Sequence, residues 1–198
     1  MLKIKFHVLL ISFTVLISAV PAQAATFAVI NINDSGAGSL RQAILDSEAS
    51  AGADTINVSV TGTVGLQSDL PTITQSLTIN GGSQTSFIVS GQNINDLRPF
   101  AVNAASSAAV NINNLTVTRG GGGTGGGIFI QGGANVTLAN VTVSNNNSAG
   151  AGGIRVSGST LNIVNSLITG NRTTFQPGGG ISASNSTVFI TGTRISQN

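Results

Sequence analysis

Cysteine, tryptophan and tyrosine are absent from this 198-residue chain, and histidine and methionine each occur once. Without cysteine there is no disulfide framework and no thiolate metal site. Charge is scarce as well: Asp, Glu, Lys and Arg make up 7% of the residues, where about 25% is ordinary. No Asp or Glu follows Asp96. A chain so poor in charge must solvate its surface with Asn, Ser, Thr and Gly.

The few charges are also unevenly placed. Lys3 and Lys5 precede an uncharged apolar run from Val8 to Val20, and Ala22 and Ala24 close it with a small-x-small pattern. That order predicts a secretory signal peptide over residues 1–24, cleaved after Ala24. The apolar run falls short of the ~20 residues a spanning helix needs, so no membrane span is expected in the mature chain. Both lysines, His7 and Met1 leave with the leader. Six arginines (Arg41, Arg98, Arg119, Arg155, Arg172, Arg194) then face six acids (Asp34, Asp46, Glu48, Asp54, Asp69, Asp96). A net charge near zero gives no case for a nucleic-acid partner.

What the chain has in abundance is glycine, 26 residues of it. "RGGGGTGGGIFI" (119–130) fits a G-x-G-x-x-G pattern, but it has no lysine and leads into a strand rather than a helix. A phosphate-binding loop is thereby excluded. The glycines belong instead to an internal repeat. Segments 108–120, 134–146, 159–171 and 186–198 align without gaps at spacings of 26, 25 and 27 residues. Apolar columns run through Val110, Val136, Leu161 and Val188, through Ile112, Leu138, Ile163 and Ile190, and through Val117, Val143, Ile168 and Ile195. Between the segments Gly-Gly-Ile recurs at Gly126-Gly127-Ile128, Gly152-Gly153-Ile154 and Gly179-Gly180-Ile181.

Short period-two alternations separated by Gly/Asn/Ser turns are strands, and a period in the mid-twenties stacks them as rungs. The predicted fold is all-β: a right-handed single-stranded parallel β-helix with a short N-terminal capping helix. Its regular rungs begin near residue 108 and belong to a solenoid spanning 53–198. Residues 25–52 form the cap, a strand in 25–32 followed by a helix in 39–50 whose capping box is Ser39 to Gln42. Asn114, Asn140 and Asn165 share one repeat position, and Asn146, Asn171 and Asn198 another. Both columns are expected at rung corners, where Asn tolerates the left-handed conformation and bonds to the next rung. Gly127, Gly153 and Gly180 with Ile128, Ile154 and Ile181 complete the structural repeat positions. The last rung ends in register at Asn198, so a C-terminal continuation or a partner chain is expected to cover the open end.

The stretches 33–56 and 70–82, followed by Gly-Gly-Ile rungs, resemble bacterial right-handed parallel β-helix proteins of the pectate-lyase-like superfamily. Gly38-Ser39-Leu40-Arg41-Gln42-Ala43 matches the CSLREA-type segment of one subset, with Gly38 and Gln42 at its Cys and Glu positions. The rungs are also similar to polymorphic outer-membrane protein repeats. Val143 to Asn146, Ile168 to Asn171 and Ile195 to Asn198 keep the x-x-N of their Phe-x-x-N motif. The resemblance implies the fold and a bacterial surface setting. The superfamily's members range from lyases and hydrolases to adhesins and inert stalks.

Chemistry is hard to build from these residues. Glycoside hydrolysis needs a pair of carboxylates, and the regular rungs contain none. A serine triad needs a histidine that the mature chain lacks. "NINDSG" (31–36) has a faint calcium-loop pattern, but Gln42 stands where a closing Glu is needed, and a turn into the capped helix accounts for it better. Arg119, Arg155 and Arg172 are candidate contacts for a polyanion such as an acidic polysaccharide. The alternative is that they are solvated charges that limit edge association. No cofactor is implied. The expected function is a non-catalytic, secreted or cell-surface protein, adhesin-like or a structural stalk or passenger, with host or cell-surface glycans or other proteins as partners. The rival is a fragment of a polysaccharide lyase or glycoside hydrolase with its active-site rungs beyond residue 198.

Overall fold

The computed structural model describes residues 23–175 and 178–198. Nearly all of the expected signal peptide therefore lies outside the described residues. Among those described, no helix is long and apolar enough to cross a membrane.

The chain begins with β1 (Thr26–Val29), α1 (Leu40–Ala49), β2 (Asp54–Val58), β3 (Gly62–Gly65), β4 (Leu77–Asn80), β5 (Phe87–Ser90) and β6 (Phe100–Asn103). Regular coils follow: β7 (Ala109–Asn113), β8 (Thr116–Thr118) and β9 (Ile128–Gln131), then β10 (Asn135–Ala139), β11 (Thr142–Ser144), β12 (Asn147–Ser148) and β13 (Ile154–Ser157). The next coil holds β14 (Thr160–Val164), β15 (Leu167–Thr169), β16 (Arg172–Thr173) and β17 (Ile181–Ser184), and the last β18 (Thr187–Thr191) and β19 (Arg194–Ser196).

Strands from successive coils pair in parallel. They build a seven-stranded sheet (β1-β2-β4-β7-β10-β14-β18), a six-stranded sheet (β3-β5-β8-β11-β15-β19), a four-stranded sheet (β6-β9-β13-β17) and the short ladder β12-β16. The result is a parallel β-solenoid of about six turns. Its register follows the sequence columns. Val136 pairs with Val110 and Leu161, and Leu138 with Ile112 and Ile163. Val143 pairs with Val117 and Ile168, and Ile154 with Ile128 and Ile181.

These columns are the core. Val110, Ile112, Val117, Ile128, Val136, Leu138, Ile154 and Leu161 are all fully buried. At ~0.8 kcal/mol per buried methylene, such columns supply the main stabilisation of a chain without disulfides or many ion pairs. On the last coil Ile190 and Ile195 occupy the same inward columns but are 46% exposed, because no described strand stacks on them. The outward positions of the first sheet alternate with the columns and are mostly Thr and Asn. Asn80 Nδ2 donates to Asn57 Oδ1 at 2.9 Å, and Asn113 Nδ2 to Asn80 Oδ1 at 3.1 Å.

The helix α1 packs on β1 and β2 and buries Leu40, Ala43, Ile44 and Ser47. Only half of the expected capping box forms. Ser39 Oγ accepts from Gln42 N at 3.2 Å, but the Gln42 side chain runs forward to Asp46 Oδ1 at 2.8 Å. The reason is local: Ser39 N already donates to Gly36 O at 3.1 Å, so the reciprocal bond has no donor left to satisfy. Arg41 clasps this cap to the first turns. Its Nη2 reaches Asp34 Oδ1 and Ser68 O, both at 2.8 Å, its Nε donates to Asp34 O at 3.1 Å, and its Nη1 donates to Asp69 O. Asn31 and Asp34 of "NINDSG" are thus occupied by turn and clasp bonds, with Asn31 Oδ1 accepting from Asn33 N and Asp34 Oδ1 also from Gln67 N.

Candidate functional site

The two asparagine columns have different structural roles. Asn114, Asn140 and Asn165 have φ of 57°, 53° and 48°, so they do take the left-handed corner between the first and second sheets. They lie toward solvent, and Asn140 Nδ2 donates to Asn114 Oδ1 at 3.1 Å. The column of Asn146, Asn171 and Asn198 departs from the expectation of left-handed corners. The left-handed residue there is the preceding one in each coil: Arg119 (55°), Asn145 (53°), Gly170 (65°) and Gln197 (57°). The chain turns at that residue and sends the next side chain inward.

Asn146 and Asn171 are accordingly fully buried. Asn146 Nδ2 donates to Asn171 Oδ1, and Asn171 Nδ2 to Asn198 Oδ1, each at 2.9 Å. The same oxygens accept the backbone N–H of Asn146 and Asn171 at 3.1 Å, and Asn146 Oδ1 accepts Gly120 N at 2.8 Å. The amides also donate to Val117 O and Val143 O of the second sheet. Each polar atom of these buried amides thus has a partner, which is the condition for burying it at all. The Gly-Gly-Ile repeat follows from this ladder. A Cβ on Gly127 would lie 2.9 Å from the Asn146 amide, and one on Gly153 3.0 Å from that of Asn171. Glycine precedes the isoleucine because the carbonyl of the matching glycine in the next coil and the asparagine amide together occupy the space where a side chain would go.

Outside this ladder the corner opens into a polar groove. Asn145, Asn146, Asn147, Gly170, Arg172 and Gln197 line a cavity of about 600 Å³. Beside it Asn93, Asn95, Gly120, Gly121, Asn147, Ser148, Ala149 and Thr174 line one of about 220 Å³, with Asn147 bordering both. The corner that sequence reasoning read only as turn chemistry therefore borders two polar concavities. Its only signals were the surplus asparagines beside one ladder position, Asn145 and Asn147 around Asn146. Ser148 shapes the wall: its Oγ accepts Gly150 N at 3.1 Å and Ala151 N at 2.9 Å.

The glycine-rich stretch forms part of the same wall. Gly120 passes so close to the Gly126 carbonyl that no Cβ could fit. Gly121 N donates to Leu97 O at 2.7 Å, and Arg98 Nε to Gly125 O at 2.9 Å. The Arg98 guanidinium lies 5.1 Å from the Phe129 ring centroid, a cation–π contact. Burial lowers the pKa of Arg98, and the Asp69 carboxylate opposes that shift. This arginine holds the loop down.

The three candidate arginines are not brought together. Arg172, on β16, lines the larger cavity, and Arg119 holds the left-handed position just before Gly120 of the smaller one; both are exposed. Arg155 lies on the third sheet, half-buried, paired with Phe129. Among the described residues one ion pair forms, Arg41 with Asp34, and no group of three His, Cys, Asp or Glu could hold a metal ion. The groove lining offers amides, hydroxyls, backbone groups and one guanidinium, which supports hydrogen bonding and attraction of anions. No protein-family model matches the chain, and no curated protein matches it.

Proposed function

We propose that this is a secreted or cell-surface, adhesin-like β-solenoid that binds extended hydroxyl-rich chains, cell-surface glycans foremost, along the groove corner without transforming them. One observation carries the reading: amide side chains and backbone groups line the corner over successive coils, spaced by the ~4.8 Å strand repeat. Amides offer donors and acceptors together, as sugar hydroxyls do. No aromatic ring lines either cavity, so each contact is weak and affinity must come from repetition along the axis. Arg172 within the groove and Arg119 beside it favour chains that carry carboxylate or sulfate.

The test is retention of the purified protein on immobilised neutral and acidic polysaccharides at low and high salt, with Arg119→Gln/Arg172→Gln as comparison. The reading expects salt-sensitive retention on the acidic matrix that the double variant weakens, with no new reducing or unsaturated sugar ends. Retention on neither matrix would overturn the binding claim. Release of sugar ends would instead establish the rival reading of a carbohydrate-active enzyme.

A further inference from the structure

Asp54, the first residue of β2, is 2% exposed. Its Oδ1 accepts the backbone N–H of Ala25 at 2.7 Å. Its Oδ2 is the single buried side-chain polar atom among the described residues that has no hydrogen-bond partner. A buried carboxylate served by one neutral N–H is an expensive arrangement, because the charge has lost water and gained little in return. The surrounding backbone fixes it there: Asp54 N donates to Ser76 O, and Thr55 N to Ala25 O at 2.9 Å.

Ala25 is also the residue that follows the expected leader cleavage site. Hydrolysis of the Ala24–Ala25 peptide bond by a leader-removing protease adds water across it. The hydroxyl goes to the Ala24 carbonyl carbon, and the Ala25 nitrogen leaves as an amine that is protonated near neutral pH. The atom already held at Asp54 Oδ1 then gains full positive charge and three donors.

We infer that Asp54 is the receptor for the α-ammonium group that processing after Ala24 creates, so that leader removal completes the first coil of the solenoid. The inference rests on the reading of the chain as a secreted protein. It supplies what the buried carboxylate lacks: a countercharge and a donor for Oδ2. Charged hydrogen bonds of this kind are roughly twice as strong as neutral ones. Before cleavage the same nitrogen is a peptide N–H, so the precursor's first coil is held more weakly than the processed one.

The composition makes the test clean. Lys3 and Lys5 leave with the leader, so the processed chain has one primary amine, at Ala25. The full-length precursor is expressed with secretion, and the N-terminus of the secreted protein is sequenced. The protein is then treated with acetic anhydride, folded and in urea. The inference expects an N-terminus at Ala25 and an amine acetylated at least about tenfold more slowly in the folded protein, because its charged form is held by the Asp54 carboxylate. Acetylation in urea followed by refolding should lower the folded-to-unfolded ratio of the wild type. In Asp54→Asn it should change that ratio little. If Asp54→Asn does not fold, the wild-type labelling and refolding data decide. A secreted chain beginning at Ala25 whose amine reacts equally fast folded and unfolded would overturn the inference while leaving the secretion reading intact. A different N-terminus would overturn both the cleavage site and the inference.

Discussion

Replacing Asn171 by alanine should be among the most damaging single changes in the regular coils, although no apolar contact of note is lost. Four hydrogen bonds end on its amide: two at Oδ1 from Asn146, and two from Nδ2 to Val143 O and Asn198 Oδ1. After truncation the Asn146 amide keeps Val117 O, and Asn198 Oδ1 keeps the N–H of residue 171. The Asn146 N–H and the Val143 carbonyl lose their amide partner in a fully buried place. At about 1–3 kcal/mol for each buried group left unsatisfied, with some cavity cost added, the expected loss is about 4 kcal/mol. Asn140→Ala is the matched control, since it removes one solvent-facing bond and puts alanine at φ 53°. It should cost about 1 kcal/mol. Urea unfolding followed by far-UV circular dichroism measures both, and amide hydrogen exchange at Asn146 should lose protection only in Asn171→Ala. Equal costs for the two variants, or a loss below about 1 kcal/mol for Asn171→Ala, would refute the distinction between buried and corner asparagines.

Further perturbations probe the remaining supports. Gly153→Ala drives a methyl into Gly180 O and to 3.0 Å from the Asn171 amide carbon; it should cost about 2 kcal/mol or more in the same unfolding assay, as overpacking does. Arg41→Lys cannot reproduce the guanidinium fork on Asp34, Ser68 and Asp69, and should cost about 1.5–3 kcal/mol, with faster exchange in α1. Arg98→Ala releases the Gly125 carbonyl and the Phe129 ring. Limited proteolysis within 120–125 should speed up while the global urea midpoint moves little. Ile112→Ala, at the centre of the longest apolar column, should cost about 2–5 kcal/mol.

The coil register was legible in the sequence because inward side chains two residues apart must keep their chemical type while outward ones drift. Val110 with Ile112 and Val136 with Leu138 show this directly, and they pair as their columns require. The early strand β3 gave no such signal, since glycine stands at both ends and only Val64 faces the core. The Ser39–Gln42 pattern announced the helix start, but competition from Gly36 for the Ser39 N–H lay outside any local motif. Most instructive is the corner. Sequence alone treats Asn140 and Asn146 alike, because both are asparagines after short strands. Only the position of the left-handed residue separates them: Asn140 itself in one case, Asn145 in the other. One residue of offset turns a solvent-facing amide into a buried ladder and opens the groove beside it.

In-register stacking underlies every column described, and the absence of cysteine allows it to be measured without background. Thr137 and Asn162 are register partners on the outward face of β10 and β14. Neighbouring strands ~4.8 Å apart fall within disulfide reach. The double variant Thr137→Cys/Asn162→Cys should form an intramolecular disulfide under mild oxidation, read by mass spectrometry of the intact and digested chain. The offset pair Thr137→Cys/Ile163→Cys should stay reduced, because Ile163 points into the core. Cross-linking of the offset pair with none in the register pair would contradict the parallel, in-register solenoid.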